Sequence, residues 1–379
     1  MLPAKLTLAV TVCAATLSLL TAVAHAGNVN AKVNCNSSGA IGKIANVLKR
    51  LNPTDTNTVH VSGYCHENVV IHGFDRLSLI AEPGAVIADA TSGQASVVDI
   101  SDSQDVVLQD FTIQGGNNGV YCWDFSFCRL IRLKVEQTGA GGFGGVVVIN
   151  SQGQLIDSTV QGSSADGIWM FGSKLQWRNV TVSNAQGNGV TVSARSQLNG
   201  PNNTVKGSGL AGVYVTNGSN ATIVPVAITG NGQSGISVTG GSTLTVGGIG
   251  TVVTDNQGAG IAMQGSHVDL FNGLVANNQG GGVVVFWESS LTSQGSTVTN
   301  NPNFGVLIDF VSFAYIDSGT FTPQQAGAVD IFCGSDVAVL TISNTQATPV
   351  NCPVVAAAAR AVPVMPRSLL VPRPPQAVQ

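Results

Sequence analysis

The chain has 379 residues, a formal net charge of −4 and 9% charged residues, against roughly 25% in ordinary soluble domains. No lysine or arginine lies between Lys206 and Arg360; phosphate backbones are held by clustered Lys and Arg, so nucleic acid is excluded as a partner. A hydrophobic content of 44% excludes a wholly disordered chain.

Residues 1–26 read as a secretory signal peptide. Lys5 precedes an apolar run that closes on Ala24-His25-Ala26, an A-x-A cleavage pattern. Val12 precedes Cys13, where a lipoprotein signal has a small residue, so no lipid anchor is expected. No later apolar run is long enough to span a bilayer. The mature product is expected to be secreted or periplasmic. Cys35, Cys65, Cys122, Cys128, Cys333 and Cys352 remain after cleavage, and an even set in an exported chain suggests disulfides. Many pairings are open; sequence proximity favours Cys35–Cys65, Cys122–Cys128 and Cys333–Cys352.

Residues 27–58 form an N-terminal capping segment. Within it, Ser38–Leu51 places Ile41, Ile44, Leu48 and Leu51 at helical spacing. Ser37 or Ser38 stands where a cap belongs, and Pro53 follows the end. An amphipathic helix there would cover the open end of a stacked structure.

The strongest signal is a repeat. A glycine followed by alternating apolar residues recurs at Gly119, Gly145, Gly167, Gly189, Gly212, Gly235, Gly260, Gly282 and Gly305, spaced by 26, 22, 22, 23, 23, 25, 22 and 23 residues. Ala328 takes the glycine slot in a further copy, AVDIF. The first and third residues after each glycine are almost wholly apolar, as in Val120 and Cys122 or Ile168 and Met170. The residue between them varies: Tyr121, Val147, Trp169, Thr191, Tyr214 and Ser237. That alternation marks a strand with one buried face. Turns rich in asparagine and glycine, such as SNAQGNG and TDNQGAG, separate the strands. A short-strand repeat without helical period fits a β-solenoid, one coil per repeat. Leucine-rich repeats share the period, but their leucine spacing is absent. The domain is placed at 59–352, and residues 353–379 form a tail rich in Pro, Ala and Val, read as disordered.

The N-terminal helix, the CHENVVI entry at Cys65–Ile71, the coils and the asparagine-bearing turns together resemble the right-handed parallel β-helix proteins of the pectin-lyase-like superfamily. The resemblance covers roughly Val59 to Thr345. It implies an all-β, single-stranded right-handed parallel β-helix of about 12 coils with an N-terminal capping helix. It leaves function open, because the superfamily holds lyases, glycosidases, epimerases, tailspikes and adhesins.

A lyase needs a cation to neutralise a uronate carboxylate and a base near the proton it removes. Family lyases supply these with Arg, Lys and calcium-binding Asp, so Ca2+ enters only if the chain is a lyase. Asp124, Asp166, Lys174 and Arg178 are the candidates here, around the third repeat. The alternative is that they are solvated surface charges. Arg129, Arg132 and Lys134 form the nearest basic cluster. A family glycosidase would carry adjacent aspartates and a G-H-G; the chain has neither. His60, His66, His72 and Glu67 cluster at the entry without a zinc spacing, and no metal or cofactor is assigned. His267 and Asp269 share one turn and read as solvated.

Aromatic residues carry more information. Tyr121, Trp123, Trp169, Phe171 and Tyr214 occupy outward slots, and Phe286 and Trp287 follow later beside Glu288. In register, Tyr121 and Trp169 lie roughly 10 Å apart, near a disaccharide repeat. Either a loop, the tail or the long Gly119–Gly145 insertion covers them, or they form a face for a polysaccharide or cell-surface glycan. Three functions follow: a glycan-binding solenoid, a polysaccharide lyase, epimerase or glycosidase acting on a uronate-type polymer, or a structural envelope protein.

Overall fold

The computed structural model describes residues 27–352, apart from 38, 40, 41, 140, 322–328, 335–337, 348 and 349. The expected signal peptide and tail lie outside the described residues. The rest is the anticipated β-solenoid. Each coil contributes one strand to each of three parallel sheets of 14, 13 and 13 strands. We name them A, which holds Phe127–Ile131 and Lys174–Arg178, B, which holds Lys134–Glu136, and C, which holds Val120–Trp123, Gly144–Ile149 and Asp166–Phe171. The chain runs A, B, C and then climbs one coil.

The inward slots fill a single continuous core. Val120, Val146, Ile168, Val190, Val213 and Ile236 stack in register in sheet C, and all are fully buried. Trp177 is the largest fully buried side chain; it stacks on Leu155 in sheet A, while Leu175 of the same strand meets Leu198 on the coil above.

The recurring glycine answers a close approach. None of the slot glycines from Gly119 to Gly282 has a left-handed φ. A Cβ on Gly189 would sit 2.2 Å from Val205 Cγ1 and 2.6 Å from the Gly212 carbonyl oxygen. The turn entering sheet C therefore has no room for a side chain.

Two polar ladders run through the turns. Between sheets C and A, each of Ser103, Ser126, Ser151, Ser173, Ser196, Ser219, Ser242, Ser266 and Ser289 donates its backbone N–H to the hydroxyl of the next serine, at 3.0–3.3 Å. Between sheets B and C, buried Asn231, Asn256, Asn278 and Asn301 pass side-chain amide hydrogens to the next Oδ1 at 2.8, 2.8 and 3.2 Å. These ladders satisfy backbone groups that a buried turn would otherwise strand.

The disulfides are Cys35–Cys65, Cys122–Cys128 and Cys333–Cys352, the pairs sequence proximity favours. The N-terminal helix is shorter than expected, covering Ile44–Leu48, with extended Lys43 at its N-cap position and no side-chain cap from it. Ser37 is not the cap, and Ser38 and Ile41 lie outside the described residues. The Glu67 carboxylate caps the helix instead, accepting N–H bonds from Ile44 at 2.8 Å and Ala45 at 3.2 Å. That role accounts for the acid among the three entry histidines.

Candidate functional site

The outer face of sheet C carries the aromatic residues. Asp99, Tyr121, Val147, Trp169, Thr191, Tyr214 and Ser237 share one in-register column. Tyr121, Trp169 and Tyr214 are thus each two coils apart, about 10 Å by strand spacing. Their rings do not lie flat on the sheet. Trp169 stacks on Phe143 at 4.5 Å and on Phe171 at 5.7 Å, with interplanar angles of 13° and 21°. Phe143 precedes the strand below and Phe171 ends the strand of Trp169, so the partners flank it from opposite sides. The three rings stand like books on the sheet. Tyr121 and Trp123 repeat the arrangement at 5.8 Å and 20°.

The aromatic face is covered in part and open in part. The Gly119–Gly145 insertion does cover Trp169, through Phe143, and Val147 beneath is fully buried. The outer rings stay open: Phe143 is 51% exposed, Phe171 42% and Trp123 37%. Trp123 and Phe171 stand at the edge where sheet C turns into sheet A. Beside them a shallow cleft is lined by Phe125, Ser126, Asn150, Ser151, Gln152, Gly172 and Lys174. Phe125 is 75% exposed and adopts a left-handed φ of 58°. The Cys122–Cys128 disulfide straddles this turn and fixes it to the core.

Two carboxylates flank the stacks. Asp99 accepts the Trp123 indole N–H at 2.8 Å, and burial raises its pKa while that bond opposes the rise. Burial and the Asp99 charge together raise the Tyr121 phenol. Asp166 accepts the Asn188 backbone N–H at 2.7 Å and the Thr191 hydroxyl, and burial raises its pKa against these bonds. Asp99 lies three coil steps below Trp169, about 14 Å by strand spacing. Asp166 turns toward the coil above, away from Asp99. Paired carboxylates acting on one glycosidic bond stand roughly 5–10 Å apart.

The candidate catalytic residues do not converge. Asp166 opens the strand that Phe171 ends, and its five steps span about 16 Å. Lys174 follows the turn beyond Phe171 and faces the cleft; Arg178 closes the strand Lys174–Arg178 on sheet A. Asp124 sits in the C-to-A turn with a left-handed φ of 55°. Among the described residues, no strand of sheet C contains a lysine or arginine. The neighbouring basic cluster is spent on ion pairs: Arg129 with Asp105, Arg132 with Asp110 at 2.6 Å, and Lys134 with Glu136 at 2.6 Å. His267 pairs with Asp269 at 3.0 Å.

Sequence reasoning missed Phe143, Phe125 and Asp99. Phe143 sits in the longest of the repeat spacings, and Asp99 falls in the variable slot one coil before Tyr121, where extending the register would have found it.

No curated protein matches the sequence. Among solved structures, the periplasmic alginate epimerase AlgG aligns with a TM-score of 0.54 and 13% identity over 84% of this chain and 83% of its own. The mannuronan C-5 epimerase AlgE4 A-module of Azotobacter vinelandii gives 0.54 and 15% over 79% and 88%. The Dettilon tailspike protein gives 0.53 and 12% over 86% and 68%. At these identities the likeness establishes the fold alone. The family described as right handed beta helix region matches residues 87–225 and 211–360, and the chain, with its coils stacked through that span, belongs to it.

Proposed function

We propose that this is an exported protein that binds a polysaccharide or cell-surface glycan through the aromatic face of sheet C, without a catalytic step. The observation that carries this reading is the Phe143–Trp169–Phe171 stack. Its inner ring is sandwiched between the other two, and the outer rings stay exposed beside a cleft that offers amides, hydroxyls and one ammonium. Pyranose rings present C–H faces to aromatic rings and hydroxyls to amides, so a rigid aromatic wall above a polar floor suits them. The structural neighbours named as alginate and mannuronan epimerases support a carbohydrate role by analogy. Export agrees with the A-x-A leader pattern and the disulfides.

The lyase or epimerase reading needs a cation and a base at one sugar. Lys174 and Asp166 stand at opposite ends of one strand and turn, which favours binding over catalysis. The test uses the mature protein with alginate, pectate and hyaluronan. Retention on at least one polymer without the absorbance of unsaturated uronate, or epimerised product, is expected. Phe171→Ala and Trp123→Ala should each lower retention about ten-fold, as loss of one well-placed aromatic contact does. Product formation, or full retention by both variants, would overturn the reading.

A further inference from the structure

A second aromatic group crowns the same edge, several coils above the first. Trp287 is 51% exposed and Phe310 50%, in edge-on contact with ring centroids 6.0 Å apart. Phe286 meets Phe310 edge-on as well, at 5.8 Å. Unlike Trp169, Trp287 is not sandwiched between parallel rings.

The backbone that presents them is strained. Trp287, Glu288, Phe310 and Val311 all have left-handed φ, at 47°, 56°, 51° and 61°. The serine ladder aligns these turns with Gly240-Gly241, which makes the same bend with φ of 63° and 72°. Glycine makes that bend freely; a β-branched or bulky residue does so at a cost. The fold therefore does not require large apolar side chains here, and an outlier of this kind points to a contact.

The register ties the two aromatic groups together. The column that rises from His72 and Ser101 to Trp123 continues through Ile149, Phe171, Ser193, Thr216, Thr239 and Gln264 to Phe286. Aromatic rings mark both ends of the stretch from Trp123 to Phe286; between them Thr239 and Gln264 reach the surface, while Ser193 and Thr216 are buried at 7% and 8% exposure and form its floor. Thr239 donates to the Thr216 hydroxyl at 2.9 Å and Ser193 to the Met170 carbonyl at 2.8 Å, so the middle is a low floor of internally bonded hydroxyls, open to solvent at Thr239 and Gln264. No charged residue interrupts this column from Trp123 to Phe286. Its seven coil steps span about 34 Å, at about 4.8 Å per step. That step is close to the advance of one pyranose unit along an extended glycan.

We infer that the C-to-A edge is one continuous track for an extended polysaccharide lying along the solenoid axis, with Trp123 and Phe171 at one end and Phe286 and Trp287 as a second anchor at the other. This rests on the glycan-binding reading and adds its direction, its length and its far subsite. Two linked anchors make a long chain bind much more tightly than a short one.

Calorimetric titration of the full mature chain tests it, using di- and octasaccharides of alginate, pectate, hyaluronan and cellulose. The octasaccharide of the preferred polymer should bind at least about ten-fold more tightly than its disaccharide. Trp287→Ala, and separately Gln264→Ala in the middle of the column, should bring that ratio toward unity. Both side chains are exposed, so neither truncation opens the core, and matched melting temperatures check this. Equal binding of the two lengths by the unaltered protein would overturn the track. So would unchanged octasaccharide affinity in both variants. Binding of no saccharide of any length would instead overturn the glycan reading itself.

Discussion

Asp99 shows how a single side chain in the site couples charge to stability. Burial holds its carboxyl above the ordinary aspartate range, outweighing the Trp123 hydrogen bond that lowers it. An acid whose folded pKa is raised binds more protons in the folded state, so the protein loses stability as pH climbs from the unfolded pKa through the folded one. Asp99→Asn keeps an acceptor for the Trp123 indole N–H and removes the charge. The variant should therefore melt higher than the unaltered protein at pH 7, and the gap should close as pH falls below about 4. Thermal unfolding followed at several pH values measures this; a gap that widens toward acid would contradict the assignment. Asp166 shares this sign. Asp110, Glu136 and Asp317 have the opposite one, because hydrogen bonds from partners, led by Arg132, Lys134 and Ser343 respectively, lower their pKa. Acid should weaken those contacts. At this scale the sequence was only partly legible. Trp123 and Phe171 could be read as outward because strand alternation fixes their side of the sheet. Phe143 could not, because a loop residue reaches Trp169 only through a path that period and spacing do not encode.

The elements that were legible are the ones with a steric or periodic cause. Alternating Val and Ile marked sheet C, and the glycine slot marked the close approach beneath each strand. The serine and asparagine ladders were visible only as turn-formers, since a run of polar residues looks the same whether it faces water or is buried. The helix is shorter than its apolar spacing predicts. Lys43 is extended, with φ −122° and ψ 127°, so only the stretch that packs Ile44 and Leu48 onto the first coil winds up. The asparagine ladder carries a test. Asn256 is fully buried; its Oδ1 accepts from the Asn231 backbone N–H at 3.1 Å and from the Asn231 side-chain amide at 2.8 Å. Asn256→Ala strands both donors, and each buried unsatisfied group costs about 1–3 kcal/mol. A loss of about 2–5 kcal/mol is expected in denaturant titration. Gln176→Ala, on the exposed face of sheet A, should stay within about 0.5 kcal/mol. Equal effects from the two would show that the ladder does not bear on stability.

At the scale of the molecule, a solenoid contacts itself mainly through neighbouring coils, so a local fault should stay local. Two disulfides make this testable in one experiment. Cys35–Cys65 ties the first strand and the capping segment to the entry coil, across a sequence separation of 30. Cys122–Cys128 spans 6 residues and brackets the turn that holds Trp123 and Phe125. Loop-closure entropy favours the longer loop, at about 3–4 kcal/mol against about 2–2.5 kcal/mol for the shorter. The paired substitution Cys35→Ser with Cys65→Ser should thus lower stability more. Its faster hydrogen exchange should be confined to the first coils, leaving retention on glycan polymers intact. Cys122→Ser with Cys128→Ser should lower stability less, yet reduce retention, because the exposed rings at the C-to-A edge lose their tether. Hydrogen exchange and polymer retention, measured on both variants, separate the two effects. If the N-terminal variant also loosened the coils around Trp169, the solenoid would be one cooperative unit and the site would depend on its end cap.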